Sequence, residues 1–247
     1  MSAAAQYAVT PYAADLHATA VTGGTQLAAG RPLGELWPLL LPALAETLQM
    51  VGVVMLIVLV AGTPLGVLLH NLAPGGLFPR PGLQSAVSWV VSLGRSLPFV
   101  ILMAAVIPFT RLLTGTTIGV AAAIVPMALA GIPYFARLVE RALRDVPPEA
   151  SDAGRAAGGS RLQVIGSVQL TEALPALVGS LTIAVVGMLE FSAIAGTIGA
   201  GGIGYLAISY GYERFDGTVM AATIVTLVLL VLAVQFTGDR VVRRLTH

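Results

Sequence analysis

Two ionisable residues, Arg95 and Glu190, stand in stretches that are otherwise apolar or small-sided. An Arg at full depth in hydrocarbon costs roughly 2.5–3.5 kcal/mol on insertion scales, so an intramembrane charge is a functional candidate by default. For Arg95, in GRSLPF, the plain alternative is a side chain that snorkels from the cytoplasmic end of a broken helix. For Glu190 it is a neutral or interhelically bonded carboxyl. Other chemistries lack their residues. The chain has no cysteine, no H-E-x-x-H and no G-x-x-x-x-G-K-[ST] loop. His17, His70 and His247 are far apart, and no lysine is present to serve a serine nucleophile. Gly199 to Gly204 satisfies G-x-G-x-x-G, but a dinucleotide site needs a preceding strand and a βαβ unit. An apolar span precedes it here, so a turn or close backbone packing is the better reading. An intramembrane enzyme is the remote reading.

The elements that position these groups follow from composition. Hydrophobic residues make up 56% of the 247, charged residues 10%, and the mean hydropathy is +0.88. A soluble domain carries roughly 25% charged residues. The chain is therefore an all-α integral membrane protein. Residues 1–35, without a basic start or an apolar core, read as a disordered tail and not as a signal peptide. Residues 36–247 read as one membrane domain of about five spans, at about 37–69, 83–109, 118–135, 173–198 and 218–236. Prolines and glycines between Asn71 and Pro81 form a loop. Thr110 to Thr117 reads as a polar turn, and Gly199 to Asp216 as a Gly/Tyr-rich loop. Nine arginines (80, 137, 141, 144, 155, 161, 240, 243, 244) fall on one side and three (31, 111, 214) on the other. The positive-inside rule then puts the N-terminus outside and the C-terminus in the cytoplasm.

The longest polar stretch after the tail runs from Asp145 to Pro175, between two apolar halves. Pro147-Pro148 suits a helix start, where a missing N–H costs nothing. Glu149 and Asp152 lie near the positive end of the helix dipole. Gly158-Gly159 ends the helix, and Ser160-x-x-Gln163 is a capping box that starts another. Ala150, Ala153, Gly154, Ala156 and Ala157 leave the first helix small-sided, shaped to be gripped by a partner.

This stretch resembles the EAA loop of the membrane subunits of ABC importers, a pattern of E-A-A, three residues, G, then I-x-L-P. The matching residues are Asp152-Ala153-Gly154, Arg155-Ala156-Ala157 and Gly158, with Ile165 and Leu174-Pro175 further on. Asp for Glu and Gly154 for Ala are the departures. RSLPFVIL, IPFTRLL, GTTIG, AAIVPMALAGIPYFARLVERAL, SAIAG, GAGGIG and QFTGDRVVR resemble successive landmarks of methionine importer permeases, from about Trp37 to the end.

The resemblance implies a type I importer permease core in a bacterial-type inner or plasma membrane. It implies a homodimer with two cytoplasmic ATPase subunits and an external substrate-binding lipoprotein. ATP and Mg would sit on the ATPase, with no cofactor in this chain, no catalytic or metal-binding residue and no nucleic-acid partner. The ATPase-coupling residues implied are Glu149, Asp152, Ala153, Gly154, Arg155, Ala156, Ala157 and Gly158, within a loop of about 145–172. The pathway and gate residues implied are Phe191, Ser192 and Ile194, with Glu190 beside them, where the family usually has a small or neutral residue. The nearest competing reading is a permease for an osmolyte or another amino acid, since the EAA loop and the GAGGIG turn are shared across such systems.

Overall fold

The structure, a computed structural model, describes residues 33–246. The expected tail lies outside the described residues except for its end, where Leu33–Glu35 forms a 3-10 turn. The helices are α1 (Trp37–Leu72), α2 (Pro81–Ser96), α3 (Phe99–Ala105), α4 (Ile107–Thr114), α5 (Val120–Arg144) and α6 (Pro148–Ala156). After them come α7 (Arg161–Val164), a π-helical turn (Ile165–Gln169), α8 (Leu170–Glu172), α9 (Leu174–Gly196), α10 (Gly202–Leu206), a second π-helical turn (Ala207–Tyr212) and α11 (Gly217–Leu245).

Several boundaries differ from the sequence expectation, each for a local reason. α1 runs unbroken through Pro42 and Pro64, and α5 through Pro126 and Pro133, then on past Phe135 to Arg144. Thr110 to Thr114 is helical instead of a turn. The Thr114 hydroxyl donates back to the Thr110 carbonyl at 2.9 Å, and Gly115, at φ 74, supplies the left-handed stop. The region 199–216 is largely helical. α11 extends past Phe236 because Gly238 lies directly against Thr182 of α9, so packing holds it where a free glycine would weaken the helix.

Contacts at the two ends of the bundle fix the number of crossings. At one end the Gly119 N–H donates to the Gly199 carbonyl at 2.9 Å, and the Gly202 N–H to Glu46 Oε2 at 2.6 Å. At the other, Asn71 Nδ2 donates to Gln169 Oε1 at 3.0 Å, and the Arg161 guanidinium lies 5.1 Å from the Phe78 ring centre. Chain near Arg80 is therefore at the opposite end from Gly115, and α2, α3 and α4 together must cross. The bend between α2 and α3 is 97°. Pro98 causes it: proline pushes Leu97 to extended backbone (φ −82, ψ 129), so α2 stops at Ser96. With this broken span the described residues make five crossings. Arg80, Arg144, Arg155, Arg161 and the arginines of the last turns of α11 then share the end that positive-inside counting makes cytoplasmic.

Lipid gives helices no hydrophobic reason to associate, so close contact of small residues does that work. A methyl on Gly66 of α1 would stand 2.5 Å from the Ala136 carbonyl and 2.6 Å from Val139 of α5. Met50, Val54, Val58, Met127, Val139 and Met188 fill the core around this contact. One buried charge cluster joins α2 to α5. Glu140 is 3% exposed and holds Arg137 at 2.7 Å and Arg144 at 2.8 Å. Arg137 also donates to the Ser88 carbonyl at 2.8 Å, the Ser88 hydroxyl at 2.6 Å and the Ser92 hydroxyl at 3.0 Å.

Two measurements test this arrangement. The chain has no native cysteine, so single cysteines report cleanly. Cysteine in place of Ser160, exposed at the inner end, resists an impermeant thiol reagent in intact cells, and cysteine in place of exposed Glu213 reacts. The opposite labelling would invert the topology. Glu140→Ala takes the buried carboxylate from two arginines that still reach solvent, and costs about 1–3 kcal/mol. Thermal unfolding in detergent measures it; a midpoint equal to the parent's would show that the cluster contributes nothing.

Candidate functional site

The inner loop is built by local signals. Pro147, extended at φ −56 and ψ 131, precedes α6, whose first turn holds Pro148 and Glu149. The helix ends at Ala157. Gly158 takes φ +85, which strains any residue with a Cβ. Its N–H donates to the Arg155 carbonyl at 3.0 Å, and the Gly159 N–H to the Gly154 carbonyl at 3.1 Å. Both halves of the capping box are present: the Ser160 N–H donates to Gln163 Oε1 at 2.9 Å, and the Gln163 N–H to Ser160 Oγ at 3.4 Å.

No residue of α6 is buried. Glu149, Asp152, Ala153, Arg155, Ala156, Ala157 and Gly158 are exposed. Gly154 is the exception. A Cβ there would lie 3.0 Å from Val168 and 3.4 Å from Val164, so the glycine lets α6 rest on the helix after it. Asp152 and Arg155 pair at 3.7 Å, both largely in solvent. Such a pair contributes about 0–1 kcal/mol. The helix is thus a small-sided, solvent-facing element with one face seated on its own protein.

A polar joint, unread in the sequence, fixes where that element sits. Asn71, in the last turn of α1, donates to Gln169 in the π-helical turn, and Gln169 Nε2 donates to the Ser151 hydroxyl of α6 at 3.4 Å. Both amides are buried, Asn71 at 2% and Gln169 at 3% exposure. The first span is thereby linked to the exposed helix through side chains alone. The one sequence sign is an amide at the end of each apolar run.

On α9 the four expected pathway residues point to different places. Phe191 stacks on Phe99, with ring centres 4.4 Å apart and planes 11° apart, so it meets the broken span just beyond Pro98. Ile194, half-buried, packs on the same core. Ser192 is 1% exposed, and its hydroxyl has no partner among the described residues. Glu190 is exposed, and lines a cleft of about 270 Å³ with Tyr134, Thr182, Gly187 and Gln235.

The glycine-rich turn after α9 is a joint as well. Glu46 accepts the Gly202 N–H, and the Thr47 hydroxyl accepts the Ile203 N–H at 2.9 Å. A Cβ on Gly201 would stand 2.5 Å from Glu46 Oε2. The start of α10 is already occupied by the protein's own carboxylate, and the glycines let α1 reach it.

The arrangement, a five-crossing bundle with an exposed inner helix, has known counterparts. The family model for binding-protein-dependent transport system inner membrane components matches residues 62–247. The probable D-methionine transport system permease protein MetI of Vibrio cholerae is 46% identical over 209 residues, covering 85% of this chain and 93% of its own. The D-methionine transport system permease protein MetI of Escherichia coli K12 is 43% identical, covering 85% and 96%. A solved structure of the MetNI methionine ABC transporter in an inward-facing conformation superposes with a TM-score of 0.85 at 42% identity, over 88% of this chain and all of that one. The chain therefore belongs to the family of binding-protein-dependent transport system inner membrane components.

Proposed function

We propose that this chain is the membrane permease of an ATP-driven importer whose substrate is methionine. Its likeness to methionine permeases over most of both chains supports the substrate class. The observation that carries the mechanism is α6: a helix with no buried residue, ended by a positive-φ glycine and anchored at Ser151 to Gln169. Residues 145–172 act as the coupling loop of the membrane domain, and α6 docks in a cleft of a cytoplasmic ATPase. Glu149, Asp152 and Arg155 present charge to that ATPase. Ala153, Ala156 and Ala157 let it close on the backbone. Two copies of the chain enclose the passage, each resting on one ATPase, and an external binding protein delivers the substrate. ATP and Mg are held by the ATPase; this chain performs no hydrolysis. Partner binding shifts the inward–outward equilibrium only through its differential affinity for the two arrangements.

Phe191 and Ile194 close the passage as an apolar constriction that moves with the broken span they pack against. Ser192, buried behind them, sets their packing, and Glu190 lines the water-filled side.

The test is ATPase capture together with uptake in reconstituted vesicles. Ala153→Trp places a bulky side chain on the docking face. Gly158→Val adds about 1–3 kcal/mol of backbone strain and redirects α7. Both variants insert and dimerise but lose ATPase capture or substrate-stimulated turnover. Val60→Leu, on the outward face of α1, changes neither. Normal capture and uptake in both loop variants would reduce 145–172 to an ordinary linker.

A further inference from the structure

Tyr134 of α5 is the wall shared by two polar clefts. One, of about 330 Å³, is lined by Arg95, Arg137, Glu140, Arg141 and Arg144. The other contains Glu190, with Thr182 and Gln235 as its further polar groups and Ile183 and Val186 as an apolar side. The Tyr134 ring lies on Gly187, one turn before Glu190; a Cβ there would sit 3.4 Å from the ring and 3.7 Å from the hydroxyl. Glu140 takes up Arg137 and Arg144. Arg95 and Glu190 have no hydrogen bond or ion pair with any described residue, and each lines a cleft that has Tyr134 in its wall.

Two opposite charges within the membrane that flank one side chain and do not close on each other need an explanation. An unpaired Arg or carboxylate facing lipid is costly, and a purely structural pair gains by contact. Both side chains are exposed on this chain, each in its own cleft beside Tyr134. A ligand with an anionic and a cationic group on adjacent atoms answers both charges at once. A phospholipid phosphate answers only the arginines and leaves Glu190 opposed.

We propose that Arg95, Tyr134 and Glu190 form a binding subsite for the zwitterionic head of the substrate amino acid. Arg95 takes the α-carboxylate, with the Tyr134 hydroxyl donating to the same group, and Glu190 takes the α-ammonium. The substrate's apolar side chain lies along Ile183 and Val186. The break at Ser96–Pro98 brings Arg95 to this point, and Phe191, the neighbour of Glu190, meets Phe99 just past the break. The subsite therefore adjoins the constriction. The inference rests on the importer reading above.

The experiment uses the permease–ATPase complex in nanodiscs without the binding protein. Bound radiolabelled L-methionine is competed with methioninamide, which lacks the carboxylate, and with N-acetylmethionine, which lacks the ammonium. In the parent each analogue competes about tenfold more weakly than methionine, the loss of one charged contact. Arg95→Gln brings methionine down to the level of methioninamide, and Glu190→Gln brings it down to the level of N-acetylmethionine. Arg95→Lys and Glu190→Asp retain part of the discrimination. Analogues that match methionine in the parent, or glutamine variants that keep the parent's discrimination, overturn the subsite. So does an Arg95→Gln complex that loses bound phosphatidylglycerol while its methionine discrimination stays intact, since that makes the arginines a lipid site. If a glutamine variant does not assemble, Arg95→Lys and Glu190→Asp decide in its place, and parent-level discrimination in both overturns the subsite. ATP-driven uptake by the complete transporter is measured in parallel. Uptake without discrimination removes the subsite and leaves the importer reading; no uptake by the parent removes that reading too.

Discussion

Inside hydrocarbon no water replaces a lost hydrogen bond, so a backbone group left unpaired there costs several kcal/mol. That constraint decides where this chain can be irregular. The second span breaks at Ser96–Pro98, where α3 packs against α5 and α9, and Phe99 is buried at 7% exposure against Phe191. The Gly199–Gly204 turn is irregular too, and there Glu46 and Thr47 supply the missing acceptors. Charge follows the same rule. Glu140 is buried only because Arg137 and Arg144 both reach it, while Arg95 and Glu190 open onto clefts.

The same constraint makes the inner end the mechanical end. Side chains there can exchange partners at small cost because water is near, yet Asn71 and Gln169 are almost fully buried. Their bond joins the end of α1 to the π-helical turn, and the turn reaches Ser151 of α6. A π-turn widens the helix by one residue and rotates the next helical segment. α6 is thus tied to the first span through buried amides, and to the fourth through the continuous path of α7, the π-turn and α8 into α9. In the importer reading this is how a cytoplasmic ATPase moves a constriction near the opposite end.

Local features were legible in the sequence. Pro147-Pro148, Gly158-Gly159 and Ser160 with Gln163 act over a few residues, and each does in the fold what its chemistry dictates. Span number and orientation came from apolar runs and arginine counts, which report a bulk property. Long-range pairings stayed hidden. Glu46 and Gly202 are 156 positions apart, and Asn71 and Gln169 are 98 apart. Nothing in either residue's neighbourhood names the other. The 199–216 region looked like a loop because glycine and tyrosine are weak helix formers; tertiary acceptors from α1 make part of it helical. Phe191 and Ile194 both pack on the core, while the surroundings of Ser192 and Glu190 depend on what α2 and α5 place beside α9.

The buried amide joint ties α6 to the end of α1, and the proposed coupling depends on it. Gln169→Leu tests it most directly, since it keeps the volume and apolar setting and removes both polar contacts. The measurement is methionine taken up per ATP hydrolysed by the complete transporter. The account predicts that the variant captures its ATPase and hydrolyses ATP, while uptake per ATP falls by about fivefold or more, the scale of one buried hydrogen bond left unmade. Uptake per ATP equal to the parent's, with the ATPase bound, would contradict it.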